Sequence, residues 1–264
     1  MKKIIFFDID GTIISEDENS FIPESTIKAI HLARENGCYV YINTGRTLCS
    51  IDQRVKDIGF DGYICGCGTY ISHQGENIFY HQTSDEICRF VENTIMKSNA
   101  LPVYEGKDAL YYDRKFENNK ILISFRNEFL RNSVPFFSTE ENPDFKFDKF
   151  VLWLEDNKYK NFLISEISKY YTVIDRGGGL LENVPLGFSK ATGIQNILDI
   201  LNIDVNDAYV IGDSMNDLSM FQAVPNSIAM GQGKALHKYA SYITDDIYHD
   251  GIWNALKHYH LIID

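Results

Sequence analysis

Carboxylates and small polar residues stand just past the ends of short apolar runs in this 264-residue chain, and a lysine stands at a helix start. Asp8 and Asp10 follow the run 4–7. Asn43, Thr44, Gly45 and Arg46 follow 39–42. Gly212, Asp213, Ser214, Asn216 and Asp217 follow 209–211. Two carboxylates at i and i+2 leave a strand on the same side. Joined by Asp213, they make an oxygen-rich anionic pocket that suits Mg²⁺, although Asp8-Ile9-Asp10-Gly11-Thr12 alone reads equally well as a surface turn. The Thr44 hydroxyl and the backbone N–H groups of Thr44-Gly45-Arg46 can hold phosphate oxygens near a helix start; alone, this tripeptide is also only a turn. Lys190 opens a helix behind Ser189, where the helix dipole favours an anion rather than a cation. A bound anion would reconcile the two, and beside a phosphate this lysine would neutralise charge in the ground and transition states. Asp213 and Asp217, four apart, bracket the first turn of a helix opened at Asn216, close enough to share a metal. A capped helix start is the plain alternative.

These residues need elements to bring them together. The all-apolar run 4–7 reads as a strand buried on both faces. A helix fits 25–36, between Pro23 and a C-capping Gly37. A second buried strand follows at 39–42, a helix at 48–58, a third strand at 63–65 and the start of a hairpin at 70–72. Strand–helix alternation predicts a parallel sheet with helices on its faces. The rhythm changes near Gln82. Thr83 and Glu86 have capping-box spacing and open a helix to about Met96. Strand-like runs then cluster at 101–104, 110–112, 121–125, 149–154, 171–174 and 180–184, with one helix at 159–168. The alternation resumes after Pro185: a Ser189-capped helix with Ile194, Ile197, Leu198 and Leu201 on one face, a strand at 209–211, a helix at 216–223, and short strands at 227–230 and 242–243. The simplest organisation is an α/β core over residues 1–81 and 186–264, interrupted by an inserted α+β domain over 82–185. Ligands of open parallel sheets bind outside the carboxyl ends of the strands, which is where the polar groups after 4–7, 39–42 and 209–211 fall.

Composition narrows the partners. A formal net charge of −12 repels nucleic acid and anionic membranes, so neither is expected. It also repels a phosphorylated substrate, so a phosphate site must build its own positive field. The apolar run at the N-terminus is too short for a signal peptide, and no stretch approaches the length of a membrane span. Five cysteines (Cys38, Cys49, Cys65, Cys67 and Cys88) without a regular framework read as reduced thiols in a cytoplasmic protein. Cys65, Cys67 and His73 lack a fourth ligand at zinc spacing. Gly177-Gly178-Gly179 reads as a turn between strands, since it lacks the lysine of a phosphate loop.

Taken together, the four segments resemble the four motifs of the haloacid dehalogenase (HAD) superfamily. Asp8 to Thr12 matches the Asp-x-Asp-Gly-Thr signature, Thr44 the second motif, Lys190 the third, and Gly212-Asp213 with Asn216-Asp217 the fourth. An insertion between the second and third motifs, together with Ala229-Met230-Gly231, Thr244-Asp245 and Asp250-Gly251, is similar to the Cof-type sugar-phosphate phosphatases. The resemblance implies a Rossmann-like parallel sheet with an inserted α+β cap, and a Mg²⁺-dependent phosphatase acting on a small phosphorylated metabolite. Asp8 would be the nucleophile, forming an aspartyl-phosphate, and Asp10 the general acid and then base. Asp8, Asp10 (through its main-chain carbonyl), Asp213 and Asp217 would hold or support Mg²⁺. Thr44, Gly45, Lys190 and Asn216 would hold phosphoryl oxygens, and Thr12 would orient Asp10. The chain departs from the subfamily at Cys67-Gly68-Thr69, where Asn-Gly-Ala is usual. The alternatives are a phosphomutase using the same intermediate, a non-catalytic binding module on this scaffold, and a glycosyltransferase holding a nucleotide sugar through Asp8 and Asp10; the last gives Thr44, Lys190 and Asp213 no role. Nothing in the sequence speaks to oligomeric state.

Overall fold

A computed structural model describes residues 2–18 and 20–263. In chain order the elements are β1 (Ile4–Phe7), α1 (Glu24–Glu35), β2 (Tyr39–Asn43), α2 (Gln53–Lys56), β3 (Gly62–Cys65), β4 (Tyr70–His73), β5 (Glu76–Tyr80), α3 (Asp85–Ile95), β6 (Leu101–Glu105), β7 (Leu110–Tyr112), α4 (Lys120–Arg131), β8 (Phe136–Ser138), β9 (Lys149–Trp153), α5 (Lys160–Ile167), β10 (Tyr171–Gly177), β11 (Leu180–Pro185), α6 (Lys190–Leu201), β12 (Ala208–Gly212), α7 (Leu218–Ala223), β13 (Asn226–Ala229), β14 (Tyr242–Ile243) and α8 (Gly251–His258). They fall into two compact units: Met1–Gly45, Asp52–Phe79 and Ser189–Asp264 in the first, Arg46–Ile51 and Tyr80–Phe188 in the second. No helix among the described residues is long and apolar enough to cross a membrane.

The first unit is built on a sheet in the order β14-β13-β12-β1-β2-β3-β4-β5. Its strands run parallel from β14 to β3, and β4 turns back antiparallel. Every residue of β1 is fully buried, as an all-apolar strand between two parallel neighbours must be. Phe7 pairs with Ile211 of β12 on one side and Ile42 of β2 on the other. The chain leaves β1 toward β2 and returns to its opposite edge through β12, so the strand order reverses there. Such a switch point opens a crevice beyond the carboxyl ends of the strands. Ile194, Ile197 and Leu198 of α6 pack with Ile4, Phe6 and Val210, the apolar face expected from the sequence.

The second unit is a sheet in the order β10-β11-β9-β6-β7-β8, antiparallel except for β7 with β8. Val91 and Ile95 of α3 and Leu163 and Ile167 of α5 pack with Tyr104, Phe150 and Leu152. Leu122, Phe125 and Phe129 of α4 pack with Val103, Tyr112 and Phe136. Helix α4 corrects the strand expected at 121–125. Asn119 accepts a hydrogen bond from Ile121 N–H at 2.9 Å and starts a helix, whose packed residues recur at spacings of three and four rather than two. The single helix expected at 48–58 is broken in two. A short 3₁₀ turn at Leu48–Ser50 gives way to α2, because Asp52 accepts from Arg54 N–H at 2.8 Å and begins a new helix. Residues 46–51 pack with the second unit, where Cys49 N–H reaches Lys107 O at 3.1 Å. Helix α3 is capped by Ser84, not Thr83, whose hydroxyl donates to Asp148 O at 3.4 Å.

Asp148 is buried, and one of its oxygens, Oδ1, has no hydrogen-bond partner among the described residues. Burial lifts its carboxyl from 3.8 to about 7, against the pull of hydrogen bonds from the Tyr80 hydroxyl and the Thr83 amide. A carboxyl raised in the folded state contributes stability that is fully present below its unfolded pKa and lost as pH rises through the folded value. Wild type is therefore expected to lose stability relative to Asp148→Asn between pH 5 and pH 8, by an amount on the order of 1–3 kcal/mol. Urea midpoints across that range test this; a pH-independent difference would refute it.

Candidate active site

Beyond β1 the chain makes a tight loop that fixes Asp8. Its amide donates to Ile211 O at 3.0 Å, and the N–H groups of Thr12, Ile13 and Ile14 all turn back to Ile9 O at 2.9–3.2 Å. Gly11 has φ +70°, a conformation that favours glycine. A Cβ there would lie 2.2 Å from Asp213 Oδ2. The glycine thus lets the loop after β1 close directly against the carboxylate after β12.

Lys190 occupies the centre of this end of the first unit. Ser189 and Thr192 form a reciprocal capping box that starts α6 and brings Lys190 inward. The lysine is 1% exposed. Its Nζ lies 2.7 Å from Asp8 Oδ1 and 2.5 Å from Asp217 Oδ1. Here are the anions that a lysine at a helix N-terminus requires. Burial pulls its pKa down, but Asp217 and Asp8 outweigh that and hold the ammonium above the ordinary lysine value. The other oxygen of Asp217 accepts from the backbone N–H of Asp213 at 3.0 Å and of Ser214 at 3.2 Å, so this carboxylate ties the lysine to the loop after β12. Asn43, at the end of β2, donates from Nδ2 to Lys190 O at 3.1 Å and anchors the lysine's backbone. Sequence alone assigns it no role; an amide at the end of an apolar strand, beside Thr44, is the only signal.

The other candidates take varied places. Thr44 is buried beyond β2; its N–H donates to Ile64 O at 2.9 Å and its carbonyl accepts from Cys67 N–H at 3.1 Å. Gly45 follows, half-buried. Cys67 has φ 57°, a left-handed conformation that suits asparagine better than cysteine. Asp10 is half-buried, and its charge acts on both Asp8 and Asp213. The Thr12 hydroxyl is fully buried with no hydrogen-bond partner among the described residues, so it makes no orienting bond to Asp10 here. Asn216 is exposed, with Oδ1 accepting from the Ser214 hydroxyl at 2.7 Å.

The donor set fits a divalent cation. Asp8, Asp213 and Asp217 each offer an oxygen within 4.8 Å of the others. Three carboxylates face one buried ammonium, an excess of two negative charges. Asp8 Oδ2 and Asp213 Oδ1 are buried without hydrogen-bond partners among the described residues, which is costly for a carboxylate unless something else meets it. The strain appears as raised pKa values. Burial, then Asp217, lifts Asp8 well above the carboxylate range; burial, Asp217 and Glu16 lift Asp213 to about 7. Hard oxygen ligands of this kind suit Mg²⁺.

A family model for haloacid dehalogenase-like hydrolases matches residues 5–256. The chain therefore belongs to that family, and it is an enzyme of the phosphoric monoester hydrolase class. It is similar to the 5-amino-6-(5-phospho-D-ribitylamino)uracil phosphatase YcsE of Bacillus subtilis, with 26% identity over 97% of this chain and 95% of that protein. It is 24% identical to a phosphoglycolate phosphatase of Methanosarcina acetivorans, over 97% of this chain and 95% of that one. Among solved structures it resembles the HAD subclass IIB sugar phosphatase BT4131, with a TM-score of 0.82 and 26% identity, covering 99% of this chain and 100% of that one.

Lys190→Met leaves Asp8 and Asp217 facing each other in the interior, so it should destabilise the protein by about 3–5 kcal/mol. Adding Asp217→Asn should recover part of that loss, because it removes one of the two stranded charges. Urea unfolding of the single and double variants checks the pair; equal stability of Lys190→Met and wild type would sink the assignment.

Proposed function

We propose that the chain hydrolyses a small phosphomonoester, such as a sugar phosphate or a phosphorylated cofactor or cofactor precursor, through an aspartyl-phosphate on Asp8. The observation that carries this reading is Asp8 itself: it is buried and gripped through one oxygen by Lys190, and its other oxygen has no hydrogen-bond partner among the described residues. A carboxylate held in the interior, next to an ammonium, is equipped to attack an electrophile that brings negative charge. A surface turn or a folding ion pair would not leave one oxygen buried and unmet.

Phosphate monoesters hydrolyse very slowly unaided, so catalysis here consists of positioning and charge neutralisation. An Asp8 oxygen attacks phosphorus while Asp10 protonates the leaving oxygen. Asp10 then takes a proton from the water that cleaves the acyl phosphate, and inorganic phosphate leaves. Lys190 neutralises charge on Asp8 and on the phosphoryl oxygens. Thr44 and Gly45 offer a hydroxyl and backbone N–H groups to those oxygens, with Asn216 at the exposed edge. Asp8, Asp213 and the Asp10 main-chain carbonyl would hold Mg²⁺, with Asp217 supporting them through Lys190 and the loop at 213–214; bound there, the ion supplies positive charge that keeps Asp8 ionised and offsets charge on the substrate. Relatives named for a ribitylaminouracil phosphate, phosphoglycolate and sugar phosphates differ in everything but a small phosphate ester, which supports the substrate class and no single member of it.

A screen of small phosphate esters with Mg²⁺ should find turnover that EDTA abolishes. Asp8→Asn should eliminate it without changing the fold, and Asp10→Asn should lower kcat by about 10²–10⁴-fold. Retained activity in Asp8→Asn would falsify the nucleophile assignment.

A further inference from the structure

The segment after β13 touches both loops of the proposed cation pocket. Met230 N–H donates to Gly212 O at 2.9 Å, just before Asp213. Gly233 sits so close to the same loop that a Cβ there would lie 2.3 Å from Asp213 O. Between them, Gln232 is exposed, yet both ends of its amide are engaged. Nε2 donates to Gly11 O, and Oε1 accepts from Ile247 N–H at 3.3 Å. Gly231 N–H bonds Asp245 O at 3.1 Å, so the segment is anchored from behind as well.

An exposed glutamine loses side-chain freedom when fixed in one geometry. Two simultaneous hydrogen bonds hold this one. What it holds is informative. Gly11 O belongs to the peptide immediately after the Asp10 carbonyl, and Gly11 is packed against the Asp213 carboxylate. The backbone of residues 230–233 fixes the loop after β12, and the Gln232 side chain fixes the loop after β1. The two carboxylate-bearing loops are therefore braced at one separation by a single short segment.

We propose that Gln232 is a positioning residue for divalent-cation binding, holding the Asp10–Gly11 backbone at the distance from Asp213 that the ion requires. The proposal rests on the reading of this pocket as a Mg²⁺ site. Outer residues that orient metal ligands typically influence affinity by about 10–100-fold, and Gln232 acts at that remove.

The test is Mg²⁺ binding by calorimetry, alongside the thermal midpoint in EDTA, for the full chain. Gln232→Met keeps the length of the side chain but can neither donate nor accept. It should weaken Mg²⁺ binding by about tenfold or more while the midpoint in EDTA stays near wild type. Gln232→Glu still accepts from Ile247 but cannot, as a carboxylate, donate to Gly11. It should also bind Mg²⁺ more weakly despite its added negative charge, an effect opposite to that of simple electrostatics. Gln195→Ala, which alters a glutamine bonded to Asp199 on α6, should match wild type. An unchanged Mg²⁺ constant in Gln232→Met, or tighter binding in Gln232→Glu, overturns the proposal. A lowered midpoint in EDTA with unchanged Mg²⁺ affinity assigns a purely structural role and overturns it too. If wild type binds no Mg²⁺, the pocket reading itself fails, which is a different result from any of these.

Discussion

The buried ammonium of Lys190, shared between Asp8 and Asp217, is the interaction on which this end of the first unit depends. Removing an ammonium and two carboxylates from water is costly, and mutual attraction offsets that only when geometry and further hydrogen bonds are good. The surroundings meet the condition. Asp217 also receives two backbone N–H groups, the capping box fixes the first turn of α6, and Asn43 holds the lysine's carbonyl. One oxygen of Asp8 and one of Asp213 remain unmet among the described residues. The cluster is thus stable enough to form yet still short of positive charge, which is the electrostatic condition for attracting a cation and a phosphate into a chain of net charge −12.

Sheet topology converts this local arrangement into a site. Parallel pairing in register places Phe7, Ile42 and Ile211 side by side, so whatever follows each of them emerges at the same edge. The loops there are held by backbone contacts: Gly11 against Asp213, Gly233 against the Asp213 carbonyl. A side chain at Gly11 would collide with the Asp213 carboxylate, and one at Gly233 with the Asp213 main chain. Packing in this way holds Asp8, Asp213 and Asp217 together, and burial first, with repulsion from Asp217 after it, raises the pKa values of Asp8 and Asp213.

Much of the fold was legible. All-apolar runs such as 4–7 became buried strands because burial on both faces leaves no alternating pattern to confuse. Ser189 announced α6 because a cap acts locally. The failures came where local signals conflict. Ile121, Ile123 and Phe125 alternate like a strand, but the cap at Asn119 and packing of Leu122, Phe125 and Phe129 make a helix. Between 48 and 58 the apolar spacing looked helical, but Asp52 breaks it by capping a second start.

The sequence by itself determined which residues were available for chemistry and the order of the strands that carry them, since strand ends and caps are written in neighbouring residues. It also contained Asn43 and Gln232 without revealing their purpose. Only the tertiary structure decided that Lys190 bridges two carboxylates 182 and 27 residues away in the chain, that Asn43 holds the lysine's backbone, that the Thr12 hydroxyl makes no bond to Asp10, and that Gln232 reaches Gly11. The physical reason is range: helix and strand signals act over a few residues, while a buried charge finds its partners through the folded interior, at separations that no local pattern encodes.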